Sequence, residues 1–283
     1  MRRLIVCFLC VGMLLCAFGC RRAADESPKW ELICLDVGQG HCTLLRTPDG
    51  DVLVDAGSES AQNDLRHRLK SLGITELKLM ILTHPDEDHI GGADGILENF
   101  AVGEICTNGA TGETDSYGRL VETARRMNVP MRAIHTAEGF TVGGAHISAL
   151  WSPMSEEIST NDASMVLLIR CNDFGALLMG DVSMDVEQVL IDEYGEAHLQ
   201  ADVLIVGHHG ANTSTSEELL ETAQPQYAVI SCGAGNVYGH PDGRTLARLE
   251  KSEAEILRTD LEGDLRFAIY ENEYKLSQKG EIK

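Results

Sequence analysis

Leu77-Lys78-Leu79-Met80-Ile81-Leu82-Thr83-His84-Pro85-Asp86-Glu87-Asp88-His89-Ile90-Gly91-Gly92 is the stretch on which the fold turns. Its first half, Leu77–Leu82, reads as a buried strand. The chain then crowds His84, Asp86, Asp88 and His89 into six residues. Imidazole and carboxylate are the side chains that hold divalent metals, and a loop at the end of a buried strand is where α/β proteins gather chemistry. Taken alone, the segment would also fit an acidic, solvated loop with two incidental histidines.

Two further stretches repeat the arrangement. Gly180-Asp181 follows the apolar strand Ala176–Met179, and Gly207-His208-His209-Gly210 follows Val203–Val206. Three strand ends bearing ligand-type side chains are not surface decoration. An adjacent histidine pair between glycines is not a core pattern either.

Around these anchors, short strands and helices alternate. Leu32–Val37, Cys42–Leu45 and Val52–Val54 are strand-like, separated by turns at Gly38-Gln39-Gly40 and Pro48-Asp49-Gly50. Helical patterns cover about 63–72, 90–98, 117–127, 184–193, 217–222 and 245–251. Strands are expected near 131–134, 146–151, 165–170, 176–179, 203–206, 227–231, 256–257 and 265–270. Early hairpins followed by strand–helix alternation suggest two sheets covered by helices, an α/β fold of the αββα four-layer sandwich type. No repeat, charge block or linker divides the chain after residue 30, so 30–283 is expected to be one domain.

The N-terminus reads as targeting. Arg2 and Arg3 precede an apolar run, Leu4 to Phe18, that closes on Gly19-Cys20. This run is shorter than the ~20 residues of a spanning helix and has the plan of a signal peptide. Cys16-Ala17-Phe18-Gly19-Cys20 resembles a bacterial lipobox, with Ala17 where leucine is usual. Residues 1–20 are therefore expected to direct export, Cys20 to carry a lipid at the outer face of the cytoplasmic membrane, and 21–29 to form a tether. An uncleaved anchor or an ordinary secretory signal would use the same features.

Of nine cysteines, five lie beyond that segment: Cys34, Cys42, Cys106, Cys171 and Cys232. They are scattered through apolar stretches without CxxC spacing, and read as small buried hydrophobes rather than a disulfide framework. A formal charge of -21 repels nucleic acid and anionic lipid at long range. Any phosphate-bearing substrate must be drawn in locally, by metal ions or a few cations such as Arg244 and Arg258.

The His84–His89 segment resembles the His-x-His-x-Asp-His signature of the metallo-β-lactamase superfamily, with Asp86 at the second histidine. That variant, with Leu35-Asp36-Val37-Gly38-Gln39-Gly40 and Leu53-Val54-Asp55-Ala56-Gly57, is similar to a narrower group. The group comprises the hydrolase domain of the bacterial DNA-uptake channel, the ComEC competence family, and its free-standing relatives. The likeness continues through Asn161-Asp162-Ala163-Ser164, Gly180-Asp181, His208-His209-Gly210, Asn236-Val237-Tyr238-Gly239-His240-Pro241 and Arg258-Thr259-Asp260. His41 stands where the group usually has aspartate, and is assigned no role.

The resemblance implies a two-metal site. His84 and Asp86 would hold the first ion, Asp88 and His89 the second, and Asp181 would bridge them. His209 would complete the second site, leaving His208 to face the substrate. Asn161 lies where many relatives place another first-site ligand, and His240 matches the family's late, substrate-side histidine. Two divalent ions lower the pKa of a bound water and neutralise charge on the attacked group. Asp88 would orient the nucleophile, with His208 or His240 serving the leaving oxygen. Asp86 in place of an imidazole moves metal preference towards manganese, with zinc close behind.

The leading expectation is an exported hydrolase of phosphodiester bonds, nuclease-like or phosphodiesterase-like. A small or single-stranded anionic substrate, or an envelope phosphoester such as phosphocholine, suits the charge better than duplex DNA. Ester, lactone or β-lactam hydrolysis is the alternative within the fold, and a non-catalytic surface binding lipoprotein is the alternative outside enzymes. No apolar run after residue 20 is long enough to span a membrane, so the chain is expected to be a partner of DNA-uptake machinery or a separate hydrolase, not the channel.

Overall fold

Side chains of both parities are apolar along most of the short strands here, so each strand needs cover on both faces. The computed structural model, which describes residues 27–153 and 157–280, meets that need with two sheets and two layers of helix. The expected leader, Cys20 and most of the tether lie outside the described residues.

Strands β1 (Trp30–Cys34), β2 (Thr43–Thr47) and β3 (Gly50–Val54) form an antiparallel meander. Helix α1 (Gln62–Ser71) crosses over to β4 (Glu76–Leu82), which runs parallel to β3. Helices α2 (Glu87–Ile90) and α3 (Ala93–Asn99) lead to β5 (Ala101–Thr107), and α4 (Asp115–Met127) to β6 (Met131–Ala133), both parallel additions.

The chain then builds the second sheet. Strands β7 (Gly139–Val142), β8 (Ala145–Trp151), β9 (Val166–Cys171) and β10 (Phe174–Leu178) are antiparallel. Helices α5 (Met184–Tyr194) and α6 (Glu196–Leu199) precede β11 (Val203–Ile205). Helix α7 (Glu217–Ala223) precedes β12 (Tyr227–Ile230), and α8 (Gly243–Lys251) precedes β13 (Glu255–Arg258), all in parallel register. After α9 (Thr259–Glu262), β14 (Leu265–Ile269) and β15 (Tyr274–Lys279) return to the first sheet, where β14 pairs with β1. The orders are β15-β14-β1-β2-β3-β4-β5-β6 and β13-β12-β11-β10-β9-β8-β7.

Alternation along each strand divides the core. Leu32, Val52, Val54, Ile81, Val203 and Ile205 point between the sheets. Ile33, Leu53, Met80 and Leu82 turn outward beneath α1, α3 and α4, while Leu204 and Ala228 meet Leu190, Leu219 and Leu249 of α5, α7 and α8. The four-layer sandwich expected from the sequence is the observed fold. All five cysteines among the described residues are buried and unbridged, and burial pushes the Cys34 thiol up to about 12.

One expectation is corrected. The single helix over 90–98 is two, because Gly91-Gly92 interrupts it; glycine is about 1 kcal/mol less favourable than alanine in a helix. The break ends α2 at Ile90, directly after His89.

A buried carboxyl braces the second helix layer. Glu187 on α5 accepts hydrogen bonds from the backbone N–H of Thr215 and of Ser216, just ahead of α7. Glu187→Ala leaves both donors buried and unpaired, an expected loss of about 2–4 kcal/mol in urea unfolding. Burial raises this carboxyl above the usual range, against the pull of Ser216, Thr215 and Arg248. A raised folded pKa gives stability that is full below the unfolded value and is lost as pH rises through the folded one. The gap between wild type and variant should thus narrow from about pH 4 towards neutrality; a gap that widens over that range contradicts the assignment.

Candidate metal centre

The C-terminal ends of parallel strands from both sheets meet at one edge of the sandwich. β4 runs straight into Thr83 and His84, β3 into Asp55, β10 through Met179-Gly180 into Asp181, β11 through Val206-Gly207 into His208 and His209, and β12 into Ser231. This is the general position of ligand sites in α/β sheets.

Asp181 is the middle of the cluster. Its Oδ1 is 3.2 Å from His89 Nε2, and its Oδ2 is 3.6 Å from His209 Nε2, 3.8 Å from His208 Nε2 and 3.9 Å from His84 Nε2. Asp86 reaches His84 Nε2 at 3.6 Å, and Asp88 reaches His209 Nε2 at 3.2 Å. One potential ligand atom from each of His84, His89 and Asp181 lies within 4.8 Å of the others, and so does one from each of Asp88, His89 and His209. The structure thus gathers His84, Asp88, His89, Asp181 and His209, while Asp86, partly exposed, meets the group through His84. Asn161 stands at the side, its Nδ2 3.4 Å from His208 Nε2, and the His240 ring lies 5.6 Å from that of His208.

His208 and His209 both adopt left-handed backbone conformations, φ 49° and 55°. Non-glycine residues pay about 1–3 kcal/mol each for such geometry. The turn is held by His208 N–H donating to Gly180 O and Ala211 N–H to His208 O. Its effect is to aim two consecutive imidazoles into one pocket.

The ring nitrogens show what the cluster is built for. His89 Nδ1 lies 2.7 Å from Asp55 Oδ2, and His209 Nδ1 lies 2.9 Å from the carbonyl of Ser231. Those acceptors hold the protons on Nδ1 and leave Nε2 lone pairs facing each other at 3.3 Å. A proton on one ring or a cation between them relieves such a contact. His84 Nε2 is also buried, with no hydrogen-bond partner. Three converging imidazole lone pairs among three carboxylates form a donor set that fits divalent ions.

Electrostatics agree. Burial alone would raise Asp181, yet the imidazoles of His89, His209 and His84 hold it well below the usual carboxylate range. Asp88 falls to about 2 against its burial, through His209 and His89. Burial works to lower His89 and His209, and the carboxylates reverse it: Asp181 and Asp55 raise His89, while Asp181 and Asp88 raise His209. His208 and His240 go the other way, lowered first by burial and further by neighbouring imidazoles.

Sequence reading missed the supports. Asp55 is fully buried and satisfied on all sides: it accepts from Thr83 N–H and Thr83 Oγ1–H, and meets His41 Nδ1 at 2.9 Å as well as His89. His41, assigned no role from sequence, is buried, with its Nε2 3.0 Å from Thr43 Oγ1. His41, Asp55 and His89 also lie close enough together to be taken for an ion site. Their atoms are already used in hydrogen bonds, so they form a brace and not a ligand set. The available signal was an acid at the end of the apolar strand Leu53-Val54.

Of the two cations singled out near the motifs, Arg244 is bound bidentately to Asp242 and Arg258 to Asp260. Both are committed to their own neighbours.

The family model described as the metallo-beta-lactamase superfamily matches residues 35–234. Comparison with curated proteins finds ComE operon protein 3 of Bacillus subtilis, 29% identical over 259 residues, covering 85% of this chain and 33% of that protein. It also finds competence protein ComA of Neisseria gonorrhoeae, 34% identical over 237 residues, with 83% and 31% coverage. The chain thus spans about a third of the length of these relatives. Among solved structures, the metallo-beta-lactamase fold protein YhfI from Bacillus subtilis aligns with a TM-score of 0.52 at 12% identity, covering 81% of this chain and 95% of that one. A four-layer sandwich, ligand-type side chains at its strand ends and a family match over most of the described residues lead to one conclusion: the chain belongs to the metallo-beta-lactamase superfamily and is a homologue of competence proteins.

Proposed function

We propose that this superfamily hydrolase acts on phosphodiester bonds with two divalent ions, manganese or zinc. The observation that carries the reading is the convergence of His84, His89 and His209 Nε2 on the Asp181 carboxylate. In this reading His84 and Asp86 hold one ion, Asp88, His89 and His209 the other, and Asp181 lies between. The ions would supply an acidified water and charge neutralisation on the attacked group.

The chain's own part is positional. Asp55 and Ser231 O fix the tautomers of His89 and His209, so that both present Nε2. Asp88 lies on the same side as His209 and is held ionised, ready to orient a nucleophile. His208 and His240 lie towards the open side, and burial favours their neutral forms. A neutral imidazole there carries one N–H to donate to the leaving oxygen.

A small or single-stranded phosphodiester is favoured over duplex DNA as a binding target on charge grounds. With a net charge of -21, and Arg244 and Arg258 paired, attraction to phosphate falls to the metal site. A small or single-stranded substrate suits that. Competence relatives support a place beside DNA-uptake machinery, and the Arg2–Cys20 segment supports export with a lipid at Cys20.

The test is metal analysis and turnover. The purified protein should hold about two ions per chain and hydrolyse bis-p-nitrophenyl phosphate with manganese or zinc, in preference to lactone and β-lactam substrates. Full activity after thorough chelation overturns the metal reading, and inertness across the panel points to a binding protein. Asp55→Asn is expected to weaken metal binding about 10–100-fold, since it removes the acceptor that orients His89. Competition with a chromogenic chelator measures this, and an unchanged dissociation constant would refute the bracing role.

A further inference from the structure

Aromatic rings form a file from the metal centre to the surface. His89 and His209 are 5.2 Å apart, His209 and His208 6.2 Å, His208 and His240 5.6 Å, and His240 and Tyr238 5.8 Å. The last pair is stacked, with 27° between the planes. Tyr238 is 66% exposed, the most exposed Phe, Tyr or Trp ring among the described residues, and Val237 beside it is 93% exposed. Exposing such a ring at the mouth of a polar site costs apolar hydration that a bound partner recovers.

The loop carrying the ring is built, not loose. The Asn236 side chain donates to the carbonyls of Gly233 and His240 and accepts from the N–H of Tyr238 and His240. Asp242 N–H donates to Gly210 O, tying the loop to the His208–His209 turn. One face of Tyr238 thus rests on His240, and the exposed ring stands two imidazoles out from Asp181, beyond His240 and His208.

We propose that Tyr238, backed by His240, is a stacking platform for an unpaired nucleobase, so that the site takes a single-stranded nucleic acid with a phosphate at the Asp181 cluster and a base on the ring. This rests on the phosphodiester reading and narrows it. Stacking needs no net positive surface, which this chain lacks, and bases offer their faces only where the strand is unpaired. Duplex DNA, with its bases covered, gains nothing from the ring.

The experiment compares a single-stranded deoxyoctanucleotide with an octamer of the same length made of abasic residues, on wild type, Tyr238→Phe and Tyr238→Ala. Wild type and the phenylalanine variant should show a KM about tenfold lower for the base-bearing strand, and the alanine variant should lose that discrimination. In parallel, a cleavage-resistant phosphorothioate octamer carrying 2-aminopurine should change fluorescence on binding wild type and Tyr238→Phe, and not Tyr238→Ala. A KM ratio near one in wild type, or one that survives Tyr238→Ala, overturns the platform. If no phosphodiester is cleaved, the fluorescence still decides. A Tyr238-dependent change sustains the base site while the hydrolytic reading falls, and no change removes the base site.

Discussion

Asp181→Asn is expected to reduce bound metal from about two ions per chain to one or fewer, and to lower turnover of bis-p-nitrophenyl phosphate by at least about a hundredfold. Residues that merely orient a ligand already account for about 10–100-fold in metal affinity, and in the proposed reading Asp181 is itself a ligand. Its two oxygens lie within 3.9 Å of four imidazole nitrogens, more than any other carboxylate in the cluster. The amide keeps the volume and removes the charge that favours a cation there. Metal content by atomic spectroscopy and steady-state turnover on the same sample give the answer. A variant that keeps two ions and full rate would remove Asp181 from the centre and, with it, the two-ion arrangement.

Gly40→Ala should be the most disruptive small substitution outside the ligands. Gly40 has φ +139°, and an added methyl would lie 2.3 Å from the Asp88 carbonyl oxygen and 3.4 Å from Asp88 Cβ. That carbonyl accepts from His41 N–H, while Gly40 O accepts from Ser231 Oγ. The turn is thus wedged between the His84–His89 loop and the second sheet. Strained backbone and a contact with main chain that cannot rotate away together amount to about 3 kcal/mol. In a chain of this size that is about 6–12 °C in melting temperature. Gly38→Ala is the control: its φ is +69°, but the added methyl meets nothing within 4 Å, so only the backbone term remains. Thermal melts of both variants separate the two effects. Equal losses would show that the close approach to Asp88 carries no weight.

Much of this architecture was legible because the signals were local. Leu77–Leu82, Ala176–Met179 and Val203–Val206 announce buried strands by composition, and each is followed at once by ligand-type side chains. What escaped was carried by distance or by context. β5 was missed because Ala101–Thr107 mixes Gly103 and Glu104 into a strand defined by pairing with β4. β15, with alternating Lys275, Ser277 and Lys279, is an edge strand whose polar face gives little periodic signal. Asp55 acts on His89 across 34 residues, a relation that no spacing rule encodes. His41 departs from the residue expected there, and only the fold shows that it leans on Asp55. The exposure of Tyr238 follows from the four hydrogen bonds of the Asn236 side chain, which the motif alone does not reveal.

The loops from β4 and those from β10 and β11 belong to different sheets, and they meet at this one edge. Cations shared between them would act as a clasp across the sandwich, adding to the apolar core and the few hydrogen bonds, such as Ser231 Oγ to Gly40 O, that join its halves. Folding strength then becomes a function of ion activity in the surrounding medium, because whatever binds only the native chain stabilises it by mass action. A molecule of this design would relax at one rim wherever trace metals are scarce and tighten where they are plentiful, so that its durability and its chemistry draw on the same supply.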